Sequence, residues 1–585
     1  MKRLFLFATA ALFALASCEK DETEEPVVPH THQMELITKD TIWKAANNPH
    51  VIKSYVKVSS GTLTIEPGVV VKFDADGYLE IGGTNAKLLA VGTIEKPILF
   101  TSNAASKQTG DWRSIAFKQG AIDSKLEFCN IEYGGSSTTT GMVDVSSNAL
   151  VSVNSCNLSN AKNYSVIADD GNGFVSFTNN TVISTTTHAM ELHGRNIASI
   201  GEGNTFTTPE NYGILVTDNG AGYVYITTTG TWRKINVPYY VEKETIVKGG
   251  ATLTIEAGNI IKFMATKGIR VGYSNENGTL VAKGTEKDSI YFTSASASPQ
   301  IGDWKSLDFE DGAIDCELQY CSVNYGGSST SLGMINVQGT ALLSVKNCKI
   351  SNAKYVAVEA ESVGNGFVAF QDNKVYGTPG QHLMSLKGHH VGDIGTGNTF
   401  HAAANYGIRI TGAGTGYAYV DADDYWRSHN VPYYVEDDIY IRKEATVTIQ
   451  EGAEFCFYNG TKLLVGVPSN GNGKLVARGT QEKPIVFTTA SASPQKGDWK
   501  GIEFSIYTLA GSELSYCNVN YAGDSKANVL VYSCGEGNPT ISNCTISNSK
   551  NWGIYKRKSS SGYATPTLSN NTFSNNTLGD TGADS

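Results

Sequence analysis

The residues of this chain that could do chemistry are its cysteines, a few paired carboxylates, scattered histidines and a repeated Gly-Asp-Trp. Apart from Cys18 there are nine cysteines, an odd number that cannot all pair within one chain. Six fall in register: Cys129, Cys321 and Cys517 are each followed, 27 residues on, by Cys156, Cys348 and Cys544. Every one opens a Cys-x-aliphatic pattern, completed by Ile131, Val323, Val519, Leu158, Ile350 and Ile546. Residues i and i+2 of a strand share a face, so these thiols are expected to point inward with the aliphatic side chains. Buried free thiols would act there as small hydrophobes. Disulfides between neighbouring strands are the alternative in an oxidising compartment. Metal binding lacks a His or carboxylate at the same spacing. Cys316, Cys456 and Cys534 have no counterparts.

Gly-Asp-Trp pairs an aromatic plane with a carboxylate, which makes Trp112, Trp304 and Trp499 candidate glycan-stacking residues. Their recurrence points the other way. A catalytic centre needs one assembled constellation, whereas repeated architecture needs the same turn in each copy. Asp111, Asp303 and Asp498 therefore read as turn residues and the three Trp as packing. His188 and His382 also recur, in matching His-x-Met-x-Leu-x-Gly stretches. His389-His390 is unmatched, because Arg195-Asn196 stands at that place in the first copy. Adjacent His on a strand point to opposite faces and chelate poorly. Asp169-Asp170, Asp423-Asp424 and Asp437-Asp438 are carboxylate pairs, but none stands out as the unique pair that glycoside hydrolysis requires. Asp74-Ala75-Asp76-Gly77 and Asp421-Ala422-Asp423-Asp424 could offer oxygen ligands to Ca²⁺ without completing a calcium loop. No catalytic residue, resident metal or other cofactor is assigned from the sequence.

The elements that position these residues come in three copies. Gly-Asp-Trp recurs at intervals of 192 and 195 residues. Thr62-Leu63-Thr64-Ile65-Glu66 returns as Thr252 to Glu256 and as Thr446 to Gln450, and Val237-Pro238-Tyr239-Tyr240-Val241-Glu242 returns as Val431 to Glu436. Within a copy, Leu63 and Ile65, Val69, Val71 and Phe73, and Ile98 and Phe100 alternate with polar residues as half-buried strands do. Gly, Asn and Asp clusters punctuate them, giving cycles of about 24–27 residues, the pattern of coils stacked into a solenoid. The expected division is a signal peptide at 1–17, a disordered acidic tether at 18–33, and repeats at 34–231, 232–425 and 426–585. The first repeat is expected to carry an N-terminal cap in Met34 to Val58, and the third is shorter than the others.

These segments resemble right-handed parallel β-helix repeat proteins of the pectin-lyase-like superfamily. The text that carries the likeness is Gly-Ala-Thr-Leu-Thr-Ile-Glu around 250–258, Pro-Ile-x-Phe-Thr, Gly-Asp-Trp, and Ile541-Ser542-Asn543-Cys544-Thr545-Ile546-Ser547-Asn548. The resemblance implies an all-β rod of about 22 coils at roughly 4.8 Å each, on the order of 100 Å long. Three consecutive β-sandwich domains are the other fold considered. The polygalacturonase-like members of that superfamily carry Asn-Thr-Asp and Gly-His-Gly, which this chain lacks; Gly388-His389-His390 departs at the second glycine.

The start of the chain bears on compartment. Lys2 and Arg3 precede an apolar run from Leu4 to Ala16, too short to span a bilayer. Leu15-Ala16-Ser17-Cys18 resembles a bacterial lipobox, which would make Cys18 a lipid attachment site. The acidic stretch after it resembles the export signal of Bacteroidetes-type surface lipoproteins, implying an outer-membrane protein facing outward, with a periplasmic face as the alternative. Thr41 and Ser289 sit in short Asp-Thr/Ser-Ile matches to an O-glycosylation pattern. The net charge of −10 disfavours nucleic acid as a partner. Twenty-nine Tyr and seven Trp suit rows of sugar-stacking sites, with avidity from three copies. The function favoured is therefore non-catalytic binding of glycan or host matrix, or a scaffold role. A polysaccharide lyase or glycoside hydrolase acting on uronate-containing polysaccharide is the alternative.

Overall fold

The computed structural model describes residues 29–585 except 170–172, 219, 221, 331–332, 361–365, 413–415, 469–470, 533–536 and 560–561. Cys18, Asp170 and Cys534 lie outside the described residues. Alternation in the sequence becomes strands of mostly three to five residues, each joined to its neighbour by a corner. Leu63, Ile65, Val71, Phe73, Leu79 and Ile81 turn inward and are fully buried, while the residues between them stay at the surface. Successive strands lie on successive faces of a three-sided parallel β-solenoid of about 20 turns. The inward side chains of the whole rod form one continuous core.

Each coil has a leading, a middle and a closing strand. In one coil of the first repeat these are Ile115–Phe117, Ser124–Glu127 and Cys129–Glu132. The corner between middle and closing strands takes a residue in the left-handed region, such as Ser155, Asn179, Asn347, Asn543 or Asn570, with φ of 53–55°. Asn tolerates this conformation better than most residues. Phe128, Tyr320 and Tyr516 occupy the same corner in the three copies at φ of 47–49°. An Asn one position later, buried at Asn180 and Asn373 and half-buried at Asn571, ties neighbouring coils together. Asn180 donates Nδ2 to the Val153 carbonyl at 2.8 Å and accepts the Cys156 N–H at 2.9 Å. Asn373 makes the same pair of bonds to Val345 and Cys348, and Asn571 to Ile541 and Cys544.

The three copies do not stack face on face. The ladder that holds the leading strands of the first repeat, Ile115–Phe117 through Ile214–Thr217, runs on through Tyr239–Val241 and Ile260–Phe263. It then continues into Ile290–Ser294 and Cys321–Asn324, the closing strands of the second repeat. The leading strands of the second repeat, Leu307–Phe309 through Ile408–Thr411, likewise become the closing strands Ile485–Thr489 and Cys517–Asn520 of the third. A unit is one strand longer than a whole number of coils. Each copy is therefore turned one face further round the rod.

The solenoid begins inside the stretch expected as tether, because His30–His32 pairs with His50–Ile52. Met34 to Val58 is not a separate cover either. Glu35–Ile37 and Thr41–Trp43 pair with the long strand Tyr55–Ile65 and form a coil of their own. Trp43 and Ile37 turn inward, which is why a cap was expected there, but they do so as ordinary coil residues. Replacing the clamp residue Asn373 by Ala strands a buried carbonyl and a buried N–H. This should cost about 1–3 kcal/mol in urea unfolding, whereas replacing the half-buried Asn130 by Ala, which removes one bond from Asn157 Nδ2, should cost less.

Candidate functional site on the outer face of the leading strands

Outward side chains on the leading strands are often buried too, so this face is recessed rather than flat. Its outward residues differ among the copies. Ala116, Asp308 and Glu503 hold one matching position, and Asp144, Asn336 and Leu530 the next. From the last strand of the second repeat into the third, the outward column runs Tyr419, Tyr440, Leu464, Glu503, Leu530, Tyr555 along the rod, each in register with the next. Leu464 and Leu530 are only 6% and 5% exposed although they face away from the core. Leu530 and Tyr555 pack with Ala527, Tyr532 and Trp552 in a second apolar cluster. The rings of Tyr417 and Tyr440 stack at 4.6 Å. A cavity of about 410 Å³ opens between Tyr440 and Tyr532, floored by Leu464 and edged by Pro468 and Ile506. Lys462 Nζ donates to Glu503 Oε2 there at 2.8 Å. Arg442 lies 3.6 Å from the Tyr419 ring centre, held by Asp421 at 2.5 Å. The result is an aromatic track with one ion pair at its centre, suited to a ligand with apolar faces and polar edges.

A family model described as a pectate-lyase-like beta helix domain matches residues 35–144, 225–331 and 421–525, more than half of the chain. This chain belongs to that family. No curated protein and no solved structure matches it. Membership in the pectate-lyase-like β-helix family carries the fold, and the matched stretches coincide with the start of each sequence copy. It implies no cofactor. Among the described residues, no group of three or more His, Cys, Asp or Glu could hold a metal ion. The acidic turns considered for Ca²⁺ have other partners. Asp74 accepts from Asn103 at 2.7 Å, and Asp421 is paired with Arg442 and Lys443. Asp423 and Asp424 accept the Thr446 N–H and the Trp426 indole N–H, each at 2.7 Å. Burial raises Asp424 to about 6 despite those bonds.

In this family member the three Trp proposed as sugar platforms are enclosed. Trp112, Trp304 and Trp499 are each 0% exposed. Their rings stack on Phe73, Phe263 and Phe457 at 4.1, 4.5 and 4.2 Å. Each indole N–H donates to a carbonyl, of Glu132, Asn324 and Asn520 respectively. The glycan-stacking assignment of these residues is corrected on that ground: no ring face is open to a ligand. Asp111 and Asp303 accept a Ser hydroxyl at 2.6 Å and a backbone N–H at 2.8 Å, which closes their loops. The six paired cysteines are buried free thiols, and Cys129 and Cys156 each donate to two carbonyls. Cys316 does have structural equivalents. Its sulfur takes the Leu280 N–H at 3.5 Å, as Ser124 takes that of Leu88 and Ser512 that of Leu475. Cys456 faces outward beside Glu454, and its thiol is pushed up to about 12 by burial and that carboxylate. Thr41 and Ser289 are half-buried, and the Thr41 hydroxyl donates to the Lys39 carbonyl.

His389 and His390 are not on a strand. They lie in the 3-10 turn Gly388–His390, where the first repeat has the short helix Gly194–Ile197, and their rings sit 4.2 Å apart. His390 Nδ1 meets Asp393 Oδ2 at 2.8 Å. His188 and His382 accept the N–H of Gly213 and Gly407, and burial lowers both to about 4. His429 is lowered to about 4 by burial and Arg427, and burial also lowers His32 and His50.

Two outcomes follow for this face. Trp304→Phe keeps the stack on Phe263 and loses the indole donor; it should cost about 1 kcal/mol in thermal or chemical unfolding without altering retention on glycan resins. The five lowered histidines are neutral in the folded chain, while the unfolded chain takes up protons near 6.5. The histidine contribution to stability is therefore full above pH 6.5 and lost as pH drops toward 4. Raised carboxyls such as Asp424 oppose it over the same range, so melting temperature should fall with a slope shallower than five histidines alone would give. His188→Asn with His382→Asn should shallow that fall.

Proposed function

We propose that this chain is an exported, lipid-anchored β-helix that binds glycan along the recessed outer face of its third repeat. The aromatic track carries the reading: Tyr417, Tyr440 and Tyr532 offer flat apolar faces beside the Lys462–Glu503 pair. Pyranose rings present C–H faces to such rings and hydroxyls to such charges. The track runs parallel to the rod axis across six strands at about 4.8 Å each, so it suits an oligosaccharide rather than a single sugar. The lipid on Cys18, an outer-membrane location and outward exposure complete the reading, with host glycoprotein or environmental polysaccharide as the partner. Their support is the apolar leader and lipobox-like Leu15-Ala16-Ser17-Cys18.

Polysaccharide cleavage is the second reading. One observation favours it: in the second repeat Glu310 is held at about 7 by burial and by neighbouring Asp308, a state that general acid catalysis uses. Purified protein incubated with uronate-containing polysaccharide, with and without Ca²⁺, would reveal it by unsaturated-product absorbance or new reducing ends.

The binding reading is tested with Tyr440→Ala/Tyr532→Ala. On a glycan array this variant should bind at least tenfold more weakly than the parent while melting within a few degrees of it. Glycan binding unchanged by the double substitution would overturn the assignment, as would a parent protein that binds nothing resistant to 0.5 M salt.

A further inference from the structure

The second repeat places at its leading strands something that neither other copy has. Asp308 faces outward yet is only 1% exposed. Its Oδ1 accepts from Asn336 Nδ2 at 2.7 Å and Gln338 Nε2 at 2.9 Å. Its Oδ2 is buried and receives no hydrogen bond; Arg270 Nε is 3.9 Å away. Glu310 follows on the same line, with Oε1 2.9 Å from that Nε. Glu244 Oε1 is shared between Arg270 at 3.4 Å and Lys305 at 3.1 Å. Three carboxylates thus surround two cations, and one negative charge is left over.

Burial and the Asp308 charge raise the Glu310 carboxyl to about 7, even though Arg270 and Lys305 pull it down. Glu310 and Asp308 share one guanidinium, Arg270 Nε lying 2.9 Å from the first and 3.9 Å from the second, so the pair as a whole is relieved by a proton or a second cation. Beside Glu310 lies a cavity of about 420 Å³, lined also by Gln338, Asp311, Tyr273 and the turn after Gly272. The fold does not require this cluster. Where the second repeat has Arg270, Asp308 and Glu310, the first has Glu80, Ala116 and Lys118, and the third has Leu464, Glu503 and Ser505. All three coils close in the same way without sharing these side chains.

We propose that this recess binds the primary ammonium group of an unacetylated amino sugar, the ammonium settling against Glu310, the member of the acid pair that lines the cavity. An ammonium supplies three donors and one positive charge, which matches the surplus carboxylate at Glu310 and the acceptor oxygens of Asp311 and Gln338 on the cavity wall. Tyr273, whose ring centre lies 5.2 Å from the Arg270 guanidinium, offers the sugar ring an aromatic face. Binding displaces a proton from the acid pair, so it weakens as pH falls below 7.

The proposal rests on the glycan reading for the ligand's class but uses different residues, so the two can fail separately. The full chain is titrated by calorimetry with glucosamine oligomers, with the fully N-acetylated oligomers, and with an aliphatic diamine as a size control. Expected are binding of the free-amine oligomers alone or far above the others, weakening as pH falls below 7, and at least tenfold weakening by Glu310→Gln. Asp308→Asn, which removes a charge behind the cavity wall, should weaken it less. Tyr440→Ala/Tyr532→Ala should leave amine binding intact while losing the glycan of the third repeat. Melting curves of each variant exclude misfolding, and Glu310→Asp, which keeps the acid but withdraws it from the cavity, should still weaken amine binding if Glu310→Gln proves unstable. Equal affinity for acetylated and free-amine oligomers, or an unaltered titration of Glu310→Gln, overturns the proposal. New reducing ends during the titration would also overturn it and make the acid pair a catalytic group instead.

Discussion

The structure depends on in-register stacking of parallel coils. A coil cannot bury its apolar face alone, so each inward side chain must find a compatible one directly above and below at about 4.8 Å. That requirement fixes one side of every strand. The three pairs Cys129–Cys156, Cys321–Cys348 and Cys517–Cys544, and the Asn clamps at 180, 373 and 571, are its visible product. A substitution inward affects two neighbouring coils, whereas a substitution outward affects mainly solvent. Recurrence therefore marks scaffold, and divergence on an outward position marks the places where the chain was free to acquire chemistry.

The extra strand in each unit changes what triplication means for binding. Three copies in line would present one row of matching sites to one polymer, and the avidity expected from the sequence assumes that geometry. Instead the leading face of each copy meets solvent one face further round than the last. A site built from residues common to all copies would point in three directions. Sites on the leading face have consequently diverged: aromatic in the third repeat, acidic in the second, and carrying Lys118 on Asp144 in the first. Duplication here multiplied the scaffold and left the surfaces to specialise.

Much of this was legible in the sequence, and the reasons are specific. Alternation plus register identified the solenoid, the inward cysteines and the packing role of Gly-Asp-Trp, since all three are set by local periodicity. The start of the first coil at His30 was missed because polar His30–His32 reads as tether until its pairing with His50–Ile52 is seen. His389 and His390 were placed on a strand because nothing in their types announces a 3-10 turn. The rotation of the copies cannot be read from repeat spacing alone, because the register of corners decides how many strands fill 192 residues. Arg270, Asp308 and Glu310 escaped notice for a different reason. Weighing recurrence discards what is unique, and their signal is an aligned outward position that is charged in one copy and not conserved in character in the others.

The acid cluster also has an energetic argument attached to it. Taking several charges partly out of water is costly, and ion pairs in such places often stabilise less than apolar packing would. The third repeat shows the apolar solution at Leu464 and Leu530, on the same face of the same coil type. The second repeat retains five ionisable groups, one of them with an orphaned oxygen, where a Leu would fit the scaffold. A solenoid can carry such a local penalty because each coil is held by the coils on both sides and stability sums along the rod. The penalty falls when a cation settles against Glu310, because the surplus charge is then matched. On this reasoning an ammonium at Glu310 would offset part of the cost of holding three carboxylates against two cations.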